Sequence, residues 1–315
     1  MAPVSNTPRE RQTFAGPSAT ARWASFVKLP HTVFALPFAL TGVVLASRIV
    51  MPTVGQVGWV VLAFTAARFA AMAFNRIIDR DVDAINPRTK MREIPSGTLP
   101  LAQAKLSVVV AGVVFVIASW MLNPLCGVLS PVALSWVLFY SYCKRFTRWS
   151  HLVLGLGLGI APVGGFLAVT GAWSDPSWML PVLAMAVMTW SGGFDILYAL
   201  QDVSFDRANK LHSLPAALGA PRALEVARVL HVGTVLLLAL VGWATGGGLL
   251  YAVGVAIVAL LLAYEHSLVK PDDLSKLDAA FFTMNGVISI TFFTFVLLER
   301  VLHLPSLATL IRGAS

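Results

Sequence analysis

Nine stretches of this chain, near residues 31–50, 56–76, 104–123, 125–142, 151–172, 179–200, 224–244, 248–265 and 281–302, are apolar over roughly the length a helix needs to cross a bilayer. In hydrocarbon every backbone N–H and C=O has to find its partner within the protein, which leaves helices and closed barrels as the only spanning forms. Strand-like alternation and short, evenly spaced segments are absent, so the barrel is disfavoured. Composition agrees, because a chain of 315 residues that is 57% hydrophobic and only 12% charged lies far outside the soluble range. The expectation is an all-α polytopic membrane protein with about nine transmembrane helices.

The basic residues sort by side. The N-terminal tail and the loops after the second, fourth, sixth and eighth spans carry 19 of the 23 Lys and Arg. Only Arg48, Arg300 and Arg312 fall on the other side, and Arg68 lies within the second span. The positive-inside bias then predicts a multi-pass protein of the cell (inner) membrane, with the N-terminus and those loops cytoplasmic and the C-terminus opposite. Residues 1–22, rich in Ser, Thr, Pro and Arg, read as a disordered tail without the features of a signal peptide, and 23–315 as a single transmembrane domain. The net charge of +8 reports this topology and an affinity for anionic lipid or diphosphate. No basic patch interleaved with aromatics points to nucleic acid. Cys126 and Cys143 stand alone, which removes disulfide and zinc readings.

Against this apolar background, six of the ten aspartates gather in two places. One is Asn75-x3-Asp79-x3-Asp83; the other is Tyr198-x3-Asp202-x3-Asp206, preceded by Asp195. Positions four apart drift by only about 40° around a helix, so each group presents its carboxylates on one face. Like charges at a membrane boundary repel and are costly to place, and a hard divalent cation is their natural partner. Oxygen-only donors suit Mg²⁺, which keeps several waters and bridges one or two carboxylates to phosphate. Asp79 and Asp202, Asp83 and Asp206, and Asn86 and Asn209 are each separated by 123 residues. Four spans lie between the groups, an even number that returns the chain to the same face. This predicts two four-helix repeats plus one helix around a central cavity open to the cytoplasm. Arg76, Arg80, Arg88, Lys90 and Arg92 surround the first group, Lys144, Arg145 and Arg148 follow the fourth span, and Arg207 and Lys210 follow the second group. Such cations, with a metal, can hold a pyrophosphate and stabilise it as a leaving group; each also satisfies the positive-inside bias without any further role.

The blocks NRIIDRDVDAINPRTKMREIPSG (75–97), YSYCKR (140–145) and DILYALQDVSFDRANKLHSLPAALG (195–219) resemble the UbiA superfamily of intramembrane aromatic prenyltransferases. HTVFALPFAL (31–40), YEHSLV (264–269) and DLSKLDAAFF (273–282) are further similar to its bacterial 4-hydroxybenzoate polyprenyltransferase branch, including enzymes of the futalosine menaquinone route. The family commonly has Asn-Asp at the start of its first motif, where this chain has Asn75-Arg76. The resemblance implies Mg²⁺-dependent transfer of a polyprenyl group from its diphosphate to an electron-rich ring, with the tail lying in the bilayer. It implies that Asn75, Asp79, Asp83, Asp202 and Asp206 hold metal and diphosphate. Lys144, Arg145 and Lys210, with Arg88, would neutralise the departing pyrophosphate, and Asp195 would lie at the reacting end.

Several roles stay open. Asp195 sits one level deeper than Asp202 on the same face, where it would either accept the acceptor's phenolic proton or stabilise the cation; Tyr198 would do the same or line the wall. Arg68, seven residues before Asn75, faces the same cavity and needs an anion there, either the carboxylate of an aromatic acid or Asp195 in a salt bridge. His31 reads as an interfacial histidine, Glu265-His266 as ordering a helix end, and the GLGLG run (155–159) as a close helix contact. Acceptors other than 4-hydroxybenzoate, among them a naphthoate, homogentisate, a porphyrin or a glycerol phosphate, fit the same motifs. A secondary transporter shares the repeats and acidic residues, but its site belongs near the midplane.

Overall fold

The computed structural model describes residues 18–302, apart from the side chains at 29–31, 33 and 34, so His31 lies outside the described side chains. Helix α1 (Ala19–Phe26) starts at Ser18, whose Oγ accepts from the N–H of Ala21; it overlaps the last residues of the segment read as a tail. Lys28, at φ 47°, turns the chain into α2 (Leu29–Ala46). A capping box of Thr53 and Gln56 opens α3 (Val54–Ile78), and α4 (Arg80–Ile85) follows it. Next come α5 (Leu101–Leu122) and α6 (Pro124–Cys143), joined at Asn123, whose side chain caps α6. Helix α7 (Ser150–Thr170) ends at Gly171, where φ is 63°. Helix α8 (Met179–Ala199) passes through a 3₁₀ turn (Leu200–Asp202) into α9 (Val203–Ala208). The chain then forms α10 (Leu214–Leu218), α11 (Ala220–Ala244) and α12 (Leu249–Leu268), and a π-helical turn (Ala279–Met284) leads into α13 (Asn285–Val301).

Among the described residues eight helical segments are long and apolar enough to cross a membrane. Helix α2 adds the shorter apolar stretch Ala35–Ala46. The protein is an all-helical, multi-pass membrane protein. Helix α8 sits at the centre, packed along α7 and α11, while α2 packs on α7 and α13, and α3 on α5. In the buried core Trp190 of α8 packs on Phe38, which stacks on Phe292, and Phe194 packs on Phe281.

Lipid gives apolar helices no reason to prefer one another, so association depends on close backbone approach and shape. The GLGLG run supplies that approach. A Cβ on Gly155 would run into the carbonyl oxygen of Met188, and one on Gly159 into that of Ala184, while Gly157 faces Val137 and Trp136 across α6. Glu265 and His266 tie α12 to its neighbours: Glu265, fully buried, accepts from Asn285 Nδ2 at 3.2 Å, and His266 Nε2 lies 3.0 Å from His231 Nδ1. At the far end Glu299 meets Arg48 at 2.5 Å and accepts from the N–H groups of Gly248 and Tyr251 at 2.9 and 2.7 Å, capping α12.

The α7–α8 contact predicts that Gly159→Val lowers the melting temperature of the detergent-solubilised protein, since a clash with backbone costs about 1–3 kcal/mol. Gly164→Ala, with nothing within 4 Å of its added Cβ, should leave the melting temperature unchanged or slightly raised.

Candidate active site

Both acidic motifs line one cavity of about 590 Å³. Asn75, Asp79 and Asp83 come from the end of α3 and from α4, and Asp195, Tyr198, Asp202 and Asp206 from α8 and its extension. Four long helices, α5 to α8, separate the motifs in sequence. The motifs do not ride on unbroken helices. Each breaks at its middle aspartate, Asp79 at φ −87° and ψ 0°, and Asp202 at φ −101° and ψ 2°, both in the sparsely populated bridge region. Neither break falls at Gly or Pro.

Each carboxylate has a defined partner. Asn75 Nδ2 donates to Asp79 at 2.9 Å. Burial, opposed by Lys144 and reinforced by the neighbouring Asp83, pushes the Asp79 carboxyl up to about 6. Arg92 donates to both oxygens of Asp83 at 2.8 and 2.9 Å. Arg88 forks onto Asp202 at 3.0 and 2.6 Å, and Asn86, which accepts from the Arg88 N–H, lies 3.5 Å from the same carboxylate. The loop after α4 thus crosses the cavity mouth and links the first motif to the second. Ser213 donates to Asp206 at 2.8 Å.

Lys144 is lined up with the second motif. Burial alone would lower its ammonium, but Asp206, Asp195, Tyr140 and Asp202 outweigh that and hold it above the ordinary lysine value. Arg145 lines the cavity, donates to the carbonyl of Ile78 at 2.6 Å and lies over the Tyr142 ring. Lys210 is not brought to this cavity. It is exposed, at φ 55° beyond the end of α9, and lies outside the cavity wall, because the chain turns away there toward α10.

Deeper in, Arg68 lines the wall, and its buried Nε makes no hydrogen bond. The salt bridge to Asp195 is not formed. Asp195 instead lies 2.7 Å from His151 Nδ1. The Tyr198 ring stacks on Phe281 with centroids 4.1 Å apart, and the Lys28 ammonium and the Arg88 guanidinium each lie 5.7 Å from its centre. Arg76 donates its Nε to the carbonyl of Phe26 at 3.4 Å, tying α1 to α3. Sequence reasoning missed Lys28, Tyr140 and His151 as wall or supporting residues. Lys28 looks like any cytoplasmic lysine, and His151 lies inside an apolar span with no motif around it.

Beyond the charged mouth the wall turns apolar, with Phe115, Leu122, Val132, Trp136, Ile160 and Ala161. The cavity therefore has a polar end for an anion and a greasy limb for a hydrocarbon. The donors fit a divalent cation of the Mg²⁺ kind: they are hard oxygens on facing walls. Among the described residues no three His, Cys, Asp or Glu side chains converge as a self-sufficient cage. Mg²⁺ needs only one or two carboxylates when phosphate oxygens complete its shell.

The carboxylates of both motifs stand at helix ends. The chain is 29% identical over 250 residues to a 4-hydroxybenzoate octaprenyltransferase of Sodalis glossinidius, covering 79% of this chain and 84% of the relative. It is 30% identical over 232 residues to a protein of the same name from Aromatoleum aromaticum, covering 73% and 77%. Among solved structures, a UbiA homologue from Aeropyrum pernix K1 superposes with a TM-score of 0.78 at 30% identity, covering 85% of this chain and 98% of that one. A UbiA homologue from Archaeoglobus fulgidus bound to DMAPP and Mg²⁺ shares the fold with a TM-score of 0.67 at 18% identity, covering 89% and 99%. The sequence pattern of the UbiA prenyltransferase family matches residues 35–287, and the chain belongs to that family.

Proposed function

We propose that this enzyme transfers a polyprenyl group from polyprenyl diphosphate to an aromatic acid, 4-hydroxybenzoate or a related quinone precursor, at the cytoplasmic face of the membrane. The observation that carries the reading is the cavity itself, which joins two carboxylate motifs, a set of cations, an apolar limb and the unbonded Nε of Arg68. The names of the bacterial relatives support the choice of acceptor.

Asn75, Asp79 and Asp83 on one wall, and Asp202 and Asp206 on the other, would hold Mg²⁺. When bound, the cation withdraws charge from the diphosphate and makes it a better leaving group. Lys144, Arg145 and Arg88 stand where they can take up the negative charge that develops as the C1–O bond breaks with its electron pair going to the diphosphate. A π pair of the acceptor ring then forms the new carbon–carbon bond to C1, and the ring carbon loses its proton. Tyr198 lines the cavity and would help to shape the reacting end. Asp195 is the carboxylate that takes the acceptor's proton. Arg68 meets the acceptor's carboxylate with a planar fork of donors. The apolar limb sheathes the start of the isoprenoid tail, and the bilayer takes the rest.

Two outcomes test this. Turnover should vanish in a chelator and return with Mg²⁺ or Mn²⁺ but poorly with Ca²⁺, and Asp79→Asn or Asp202→Asn should each lower kcat by about a hundredfold or more. Full turnover in chelator would exclude the mechanism. Arg68→Ala should raise the KM for 4-hydroxybenzoate by roughly 10- to 100-fold, the equivalent of a lost charge-assisted contact of about 1.5–3 kcal/mol, with the diphosphate KM near wild type. An unchanged acceptor KM would remove Arg68 from the acceptor site.

A further inference from the structure

His151 stands in the first turn of α7, fully buried among apolar helices, yet both of its ring nitrogens are engaged. Nδ1 lies 2.7 Å from Oδ2 of Asp195, and the backbone N–H of Leu214 points at Nε2 from 3.4 Å. A backbone N–H only donates, so Nε2 is the accepting nitrogen. The ring proton therefore sits on Nδ1 and is donated to the carboxylate. One imidazole thus joins α7 and α8 to the start of α10, whose capping residue Ser213 donates in turn to Asp206.

The backbone is shaped to allow this reach. Gly155 and Gly159 bring α7 onto α8, and on α8 a Cβ at Gly192 would lie 2.9 Å from Leu152 Cδ2 and 3.5 Å from the carbonyl oxygen of His151. A larger residue at Gly155 or Gly159 would meet the α8 backbone and push the two helices apart. Asp195 itself stays in the cavity wall, with one oxygen held by the imidazole.

We infer that His151 is a positioning residue for prenyl transfer: its Nδ1–H holds the Asp195 carboxylate in the rotamer that turns the other oxygen toward the acceptor. The inference rests on Asp195 serving the acceptor in the way proposed above. A carboxylate without this donor would be free to swing toward the Lys144 ammonium, whose charge reaches it. Hydrogen-bonded supports of this kind orient a reacting group without touching substrate.

The test is a double-mutant cycle on the purified enzyme, with labelled isoprenyl diphosphate and 4-hydroxybenzoate as substrates and a melting temperature recorded for every variant. His151→Leu should lower kcat by about ten- to a hundredfold, a part of what a general base contributes, and leave both KM values within about threefold. His151→Gln, whose amide N–H can donate to the same oxygen, should recover most of that loss. In an Asp195→Asn background, His151→Leu should cost nothing further, because the group it positions is already lost. Should His151→Leu fail to accumulate, His151→Met carries the same comparison. Wild-type kcat in His151→Leu beside an inactive Asp195→Asn would overturn the inference alone. So would a loss that His151→Gln shares and that adds in full to Asp195→Asn, which marks a structural role. Wild-type turnover of Asp195→Asn would instead overturn the role given to Asp195, and that single variant reads it.

Discussion

Carboxylates crowded at the ends of apolar helices repel one another and have little water to screen them, and the architecture answers that problem at every level. Arg88 forks onto Asp202, Arg92 Nη1 donates to both oxygens of Asp83, and Lys144 is held charged by the carboxylates of the second motif. Asp79, to which the neutral Asn75 donates, is pushed up to about 6 by burial and by Asp83. A site with this much negative charge and so many cations around it suits a ligand that brings both a metal and a polyanion, which is what a Mg²⁺–diphosphate is. The helix breaks at Asp79 and Asp202 serve the same end, turning the last carboxylate of each motif back over the cavity mouth.

The rest of the fold places these walls. Helix α8 carries Asp195 and Tyr198 and leads into the turn and short helix that hold Asp202 and Asp206, and the glycines of α7 set how near its neighbour comes. That distance decides whether His151 can reach Asp195. The geometry at one end of the bundle therefore depends on glycines about one and two turns along α7 from His151, as positioning effects commonly do. The far end is held separately, by Arg48, Glu299 and Arg300 around the start of α12 and Ser47.

Much of this was legible in the sequence because lipid narrows the choices. Apolar runs of spanning length had to be helices, and the even number of spans between the two Asp groups put both on one face. Arg68 was legible as a cavity residue from its seven-residue spacing to Asn75. Its freedom from Asp195 was not, since the competing partner, His151, comes from another helix and carries no local signal. The helix breaks were equally hidden, because they fall at aspartate and not at Gly or Pro. Among the basic residues, the positive-inside bias enriches the whole face. Spacing therefore does not separate Arg88 and Arg92, which turn inward, from Lys210, which turns out.

The central claim is that carboxylates of both motifs and a diphosphate jointly bind the metal. Electron paramagnetic resonance of Mn²⁺ with the purified protein and an unreactive prenyl thiodiphosphate tests it most directly. The account predicts that tight Mn²⁺ binding requires the diphosphate analogue and is weakened by substitution in either motif, Asp79→Asn or Asp202→Asn alike. Binding of the analogue with equal affinity in chelator, or Mn²⁺ binding that one of the two motifs supports alone, would contradict it.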